Sequence, residues 1–239
     1  MLDLSTHDEC AALSSVFQGG LCEKLTARPA RTYDRDQIVY SMGDEAHSIY
    51  FLRRGLVKLT AISEEGREII LSVNKPGEIF GEFCLCDRKR NEMAMTMEPS
   101  EIVEIKFGDL IAHLQNNKDA LYNFLVSVCQ RLSRAYQIIC EFSFDNLPER
   151  LAKVLLRLGD EFGRETERGV ELEYYITQEE LAQMVSARRE VVSTALSRLR
   201  ERGLVEYSRK GKLTINRTGL LAFVEGDHGR QNERIRAAG

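Results

Sequence analysis

Between Ser186 and Arg217, nine basic residues (Arg188, Arg189, Arg198, Arg200, Arg202, Arg209, Lys210, Lys212 and Arg217) stand against Glu190, Glu201 and Glu206. That is a local charge of +6 in a chain whose formal net charge is -4. A basic cluster inside an acidic chain is the footprint of a surface that neutralises phosphates. Arg189 can donate two hydrogen bonds to guanine O6 and N7, and Glu190 can accept from cytosine N4, so the pair suits a GC-containing half-site. Ser193 and Thr194, one turn later, are short enough to meet bases or phosphate. Arg188, Lys210 and Lys212 suit phosphate contacts that set register without reading sequence. Arg198, Arg200 and Arg202 fall late in the same run, where ion pairs with Glu201 account for them. The partner this predicts is double-stranded DNA.

Six cysteines (Cys10, Cys22, Cys84, Cys86, Cys129 and Cys140) are scattered without a CxxC, and the four histidines (His7, His47, His113 and His228) fall in no HExxH or finger spacing. A disulfide framework and a structural zinc site are both excluded. Cys10, Cys22, Cys84 and Cys86 could together supply four thiolates to an iron–sulfur cluster if the N-terminal segment folds over them. Cys129 and Cys140 are eleven residues apart, about three helical turns, and share a helix side. The default expectation for all six is an isolated or buried thiol. Only His47 lies near the strands, so metal-dependent catalysis has no donor set, and the chain is not expected to be an enzyme.

These groups need elements to hold them. With 239 residues, 43% apolar and 29% charged, the chain is long enough for two ordinary domains and is not disordered. From Gln37 to Lys106 the runs IVYS, IYFLRRG, LVKLTAI, EIILSV, MAMTM and EIVEI alternate with turns at Gly43-Asp44, Arg54-Gly55, Glu65-Gly66, Pro76-Gly77 and Pro99. This is the spacing of an antiparallel sandwich or small barrel. Residues 1–25 read as an arm packed on it.

From Asp119 to Phe144 the period changes. Leu121, Leu125, Val128, Leu132, Ala135, Ile139 and Phe142 recur at alternating intervals of four and three, the a and d positions of a helical seam. Packing of this helix on its own barrel is one outcome; a parallel homodimer about a twofold axis is the favoured one. Asn146 and Pro148 end that helix and begin PERLAKVLLRLGDEFG.

Thr177 and Glu180 have the spacing of a capping box and open the short helix EELAQMV. Ser186-Ala187 makes a tight connection, and RREVVSTALSRLRERG runs as a second helix closed by Gly203. The strands LVEYS and KLTIN around Arg209-Lys210-Gly211-Lys212 form a β-hairpin wing. Thr177 joins the expected DNA-contacting residues. The reading is α+β: an N-terminal arm (1–25), an antiparallel β domain (26–117), a long dimerisation helix (118–144) and a C-terminal winged helix-turn-helix (145–239), with residues 188–201 as the recognition helix. The tail after Gly226 is polar and expected to fray.

The glycine-punctuated phrase GEIFGEF, a dimerising helix and then ITQEELAQMVSARREVVSTALSRL resemble the superfamily of the cyclic-AMP receptor protein and the fumarate-nitrate-reduction regulator (CRP/FNR), over roughly residues 26–220. The resemblance implies that the β domain over 26–117 is a jelly-roll sensor domain of the cyclic-nucleotide-binding kind, and that the chain is a homodimeric transcription regulator whose partners are a palindromic DNA site and RNA polymerase. In that superfamily the residues matching Arg189 and Glu190 read half-sites of the TGTGA or TTGAT kind. Its cyclic-AMP branch carries an arginine where this chain has Thr194, and its oxygen-sensing branch has Glu-x-x-Ser-Arg where this chain has Glu190-x-x-Ser193-Thr194.

The resemblance also implies an effector site. In the cyclic-nucleotide-binding members a Gly-Glu like Gly81-Glu82 meets the ribose, and an arginine at the place of Arg90, followed by a hydroxyl residue, holds the cyclic phosphate. Gly81, Glu82, Arg90 and Asn91 are therefore the candidate effector residues, and a cyclic nucleotide the candidate ligand. One guanidinium and the amides beside Gly81 suit one anionic phosphate. Asn91 replaces the hydroxyl residue, and Glu92 replaces a small one and places a carboxylate close to the phosphate. Residues Arg134, Ala135 and Tyr136 lack the Thr-Ser pair that contacts adenine. The oxygen sensor's tight N-terminal cysteine group is not reproduced, and no histidine in the cassette suits haem. Two alternatives stay open: a cyclic-nucleotide-binding module acting on a protein partner, and a redox or iron–sulfur regulator. The start MLDLSTHDEC lacks the regions of a signal peptide, and no apolar run approaches the roughly 20 residues a bilayer requires, so a cytoplasmic protein is expected.

Overall fold

The computed structural model describes residues 27–86, 88–207 and 212–226. The expected arm, the wing tip with Arg209 and Lys210, and the tail after Gly226 lie outside them. Two compact units divide within one helix, between Arg134 and Ala135.

The first unit is the expected jelly roll. Strands β1 (Arg31–Tyr33), β2 (Ile38–Tyr40), β3 (Ser48–Arg54), β4 (Val57–Ile62), β5 (Glu68–Asn74), β6 (Ile79–Phe80), β7 (Met93–Thr96) and β8 (Ser100–Lys106) form two antiparallel sheets, ordered β1-β8-β3-β6 and β2-β7-β4-β5. Between the sheets lie Leu52, Val57, Leu59, Phe80, Ala94 and Ile102, all buried. The hairpin turns follow from backbone sterics. Gly43, Gly55, Gly66 and Gly77 all have positive φ, a conformation that side chains with a Cβ disfavour. At Gly55 a methyl group would also meet Pro99 O at 2.7 Å.

A helix absent from the sequence reading, α1 (Phe107–Asn116), leaves β8 directly and buries Leu110 and Leu114. Helix α2 follows (Lys118–Phe144) and carries two neighbouring stripes. Ala120 and Phe124 pack with Leu110 and Leu114 of α1 and with Ile49, Val103 and Ile105 of the barrel, and Ser127 and Arg131 continue that line at helical spacing. The a and d stripe lies beside it, exposed: Leu121, Leu125, Val128, Leu132, Ile139 and Phe142 keep 37–58% of their surface in solvent. Ala135 is exposed with them.

The second unit begins in the end of α2. Asn146 caps α3 (Leu147–Phe162) through a reciprocal box with Glu149, with Pro148 in the first turn. Leu151, Leu155, Leu158 and Phe162 form its buried face. Gly159 lets the strand Leu213–Ile215 approach closely, since a methyl there would meet Ile215 Cδ1 at 2.4 Å. The hairpin β9 (Gly163–Thr166) and β10 (Gly169–Leu172) was not anticipated. It extends the wing into a four-stranded sheet, β11-β12-β10-β9, with β11 (Val205–Tyr207) and β12 (Leu213–Ile215). Helices α4 (Gln178–Met184) and α5 (Arg189–Glu201) make the helix-turn-helix, and helical residues 217–226 close the unit.

Candidate functional site

The helix-turn-helix is set by its caps. Thr177 accepts from the Glu180 amide at 3.1 Å and the Glu180 carboxylate accepts from the Thr177 amide at 2.7 Å, fixing the start of α4. Its end is a Schellman turn: the Ala187 amide reaches Ala182 O at 3.0 Å, with Ser186 between them at φ 49°. A serine thus occupies a left-handed position that usually takes glycine. The recognition helix closes in the same way on Gly203, at φ 69°, with Leu204 N bonded to Leu199 O.

Val192, Ala195, Leu196 and Leu199 are the buried face of α5. This leaves Arg188, Arg189, Glu190, Val191 and Thr194 exposed on its first two turns and Ser193 half-buried. Arg188 is the N-cap, in extended conformation, and has no capping side-chain bond. The Thr194 hydroxyl donates back to Glu190 O at 3.0 Å, and Ser193 O accepts from Ser197. The local charge of the basic cluster is partly compensated. Lys212 Nζ stands 3.9 Å from the Glu171 carboxylate, and Arg217 is 2.9 Å from Asp160, partners that linear charge counting does not reveal. Lys210 lies outside the described residues.

In the jelly roll the four candidate effector residues are placed very differently from one another. Gly81 has φ 78° and leads into a short 3-10 turn, Glu82–Leu85. Arg90 is 3% exposed. Its Nη1 donates to Gly81 O at 2.7 Å and its Nη2 to Ser48 O at 2.5 Å. The guanidinium carbon lies 4.2 Å from the Tyr40 ring centroid and 5.4 Å from that of Tyr50, and Tyr40, Tyr50 and Phe80 stack on one another. The Arg90 main chain is also engaged: its amide donates to Asp44 O and its carbonyl accepts from Gly43 N. Glu82 pairs with Arg131 of α2, which also donates to Ile79 O. Asn91 is exposed.

Glu92, 1% exposed, accepts from the Tyr40 hydroxyl at 2.8 Å. Burial pushes its carboxyl above the ordinary value, with the nearby Glu82 charge acting in the same direction. Burial raises the Tyr40 phenol as well, and the Glu92 charge adds to that. Tyr40, Tyr50, Phe80, Ser48 and Arg131 were not singled out from sequence. Their contacts join positions 10 to 52 residues apart, and no local spacing marks them.

At this place Arg90 Nε, Glu82 Oε2 and Glu92 Oε2 are buried without a hydrogen-bond partner. The guanidinium that would meet the phosphate is held by two carbonyls and a tyrosine ring, and the carboxylate that would meet the ribose is held by an arginine. A methyl group on Gly81 would already come within 2.7 Å of Arg90 Nη1.

Cys10, Cys22 and the Cys84 side chain lie outside the described residues. Cys86, Cys129 and Cys140 are free and exposed: of the two default expectations, isolated or buried, these three thiols are isolated. Among the described residues no cluster of His, Cys, Asp and Glu has the arrangement of a metal site, and no helix is long and apolar enough to cross a membrane.

Residues 30–117 match the family model of the cyclic nucleotide-binding domain and residues 149–223 that of the Crp-like helix-turn-helix domain. The chain belongs to the CRP/FNR superfamily. Its relatives include a CRP-like cAMP-activated global transcriptional regulator of Mycobacterium tuberculosis, 28% identical over 211 residues, or 86% of this chain and 94% of the relative. A global nitrogen regulator of Synechocystis is 25% identical over 213 residues, covering 88% and 94%. A solved CRP/FNR-family transcriptional regulator from Thermus thermophilus superposes with a TM-score of 0.63 at 25% identity, over 82% of this chain and 98% of that one. The c-di-GMP responsive global regulator of Xanthomonas campestris shares the fold, with a TM-score of 0.70 at 24% identity over 86% and 98%. As a CRP/FNR protein, this chain is a DNA-binding transcription regulator.

Proposed function

We propose that this CRP/FNR regulator works as a homodimer, with α2 as the seam and two copies of α5 reading the halves of a palindromic site. The exposed face of the first two turns of α5 carries the reading. Arg189 has the fork geometry for guanine O6 and N7, Glu190 accepts from cytosine N4, and both side chains are open to a major groove. Arg188, Lys210 and Lys212 hold phosphates on either side, with Lys212 exchanging Glu171 for DNA. The exposed apolar stripe of α2 supports self-association, because a second copy would bury it along its length. RNA polymerase is the expected protein partner and the cytoplasm the expected compartment, and the chain performs no catalysis of its own.

The test is fluorescence anisotropy at fixed salt on a palindrome selected from a random library. Arg189→Ala combined with Glu190→Ala removes two base contacts from each half-site; the two bidentate Arg189 contacts alone are worth about 2–6 kcal/mol, so binding weakens roughly 30-fold or more. Unchanged affinity in a folded, dimeric double variant refutes the assignment of α5.

A further inference from the structure

We infer, on the basis of the regulator reading above, that α5 also reads a thymine. Val191 and the methyl group of Thr194 form an apolar contact for the thymine C5-methyl, beside the G·C pair assigned to Arg189 and Glu190.

Helix geometry dictates which groups stand together. Val192, Ala195, Leu196 and Leu199 face the core. The side of α5 opposite them carries Glu190 and Thr194, one turn apart, and Val191 adjoins Thr194 at the i, i+3 spacing. All three side chains are exposed, and Val191 keeps 49% of its surface in solvent. A β-branched residue is a poor helix former, and one left half-exposed gains little from the core. Neither the helix nor the packing of the domain calls for valine at this position.

Thr194 presents its apolar end. Its hydroxyl donates to Glu190 O at 3.0 Å, a bond to the helix's own carbonyl that occupies the group's single proton. The hydroxyl therefore cannot donate to a phosphate or to the acceptors of guanine, and the methyl is the free end of the side chain. Ser197, three residues on, returns its hydroxyl to Ser193 O at 3.0 Å in the same way, so this row of the helix offers the groove no hydroxyl donor.

The base that matches is set by groove chemistry. A guanidinium suits guanine O6 and N7 and a carboxylate suits cytosine N4, whereas thymine alone carries a methyl group on its major-groove edge. Two adjoining apolar groups beside Glu190 thus complement thymine. One helical turn is about 5.4 Å and successive base pairs are about 3.4 Å apart, so this thymine lies one or two steps from the pair that Glu190 reads.

The experiment measures anisotropy with the full chain on the selected palindrome at fixed salt. Each thymine of the half-site is replaced in turn, in both halves together, by deoxyuridine, which pairs as thymine does and lacks only the C5-methyl. Burial of one methyl is worth about fourfold in affinity, so the symmetric replacement should weaken binding roughly 15-fold at one thymine close to the G·C pair. Val191→Ala combined with Thr194→Ser trims the apolar contact and keeps the hydroxyl bond, and should bring the thymine-to-uracil ratio to within about twofold of unity. Thr194→Val, which puts a second methyl in place of the hydroxyl, should retain the ratio. A selected half-site without thymine, uracil tolerated at every position, or a ratio unchanged in the double variant overturns the inference. A ratio lost in Thr194→Val also overturns it, because the hydroxyl would then be the reading group. In each of these cases the regulator reading stands if Arg189→Ala combined with Glu190→Ala weakens binding on the same duplexes. If that variant binds as wild type does, α5 is not the reading helix and both readings fall.

Discussion

Leu132 sits at the middle of the exposed stripe, and Leu132→Lys tests whether that stripe is a seam. In a single chain Leu132 keeps 51% of its surface in solvent. Full burial of a leucine side chain is worth about 1.5–3 kcal/mol, so the half that a partner would cover adds about 1 kcal/mol per copy, or about 2 kcal/mol per dimer. Lysine forfeits this and brings an ammonium to the seam; with its stem free to carry the charge outward, the added penalty is about 1 kcal/mol per copy. The sum, about 4 kcal/mol, raises the dimer dissociation constant by nearly three powers of ten. Sedimentation equilibrium over a concentration series reads this directly. Gln137→Lys, an exposed position on the face of α2 away from the stripe, is the control and should leave the mass unchanged. A Leu132→Lys protein that stays dimeric at the wild-type concentration refutes the seam, and equal effects from both variants refute its placement on this face.

Three further outcomes are expected. Arg188→Ala should weaken DNA binding by a similar factor on all sequences and flatten the plot of log affinity against log salt by about two, one phosphate per subunit; a change in sequence preference would mean Arg188 reads bases. Ser186→Gly should raise the melting temperature, because the left-handed conformation costs a non-glycine residue about 1–2 kcal/mol against about 0.5–1 kcal/mol of glycine entropy. A lower melting point would show that the Ser186 backbone is not strained. Glu92→Gln addresses pH. A carboxyl raised by folding gives its full stability below the unfolded value and loses it as pH rises through the folded one. Wild type should therefore melt below Glu92→Gln at neutral pH, and the gap should close on acidification toward the ordinary value of 4.5. A gap that widens on acidification would show that the carboxylate, facing Arg90, Tyr40 and Glu82, is favoured in the fold.

What could be read from the sequence was local. Turn glycines, the helix start at Asn146 and Pro148, the Thr177 capping box and the Gly203 stop each involve residues within a few positions of one another, and the structure forms every one of them. Helix α1 escaped notice because it leaves β8 at Lys106 with no capping side-chain bond, so the start signal was missing although Leu110 and Leu114 have helical spacing. The β9–β10 hairpin was hidden by its polarity: β9 is a sheet edge whose residues Arg164, Glu165 and Thr166 are exposed, and an edge strand has no apolar alternation to display. The cassette was legible only as a set of names. Gly81, Glu82, Arg90 and Asn91 were found, but what holds them comes from β2, β3, β6 and α2, and separations of that size leave no periodic trace.

The seam shows the same limit from another side. Its period identified an apolar stripe on α2 but could not say whether barrel or partner covers it, since both demand the same spacing. The structure answers by placing two stripes one residue apart: Ala120 and Leu121, Phe124 and Leu125, Ser127 and Val128, Arg131 and Leu132. Neighbouring residues on a helix project about 100° apart, so one member of each pair meets the barrel and the next faces outward. Arg131 is the last of the barrel-facing line and is clasped by Glu82 and Ile79 O; Leu132 is the centre of the outward one. Any turn of the helix that releases Arg131 must therefore swing Leu132 by the same angle. In the proposed homodimer, the Glu82–Arg131 pair is thus the contact through which the barrel fixes the direction of the outward stripe.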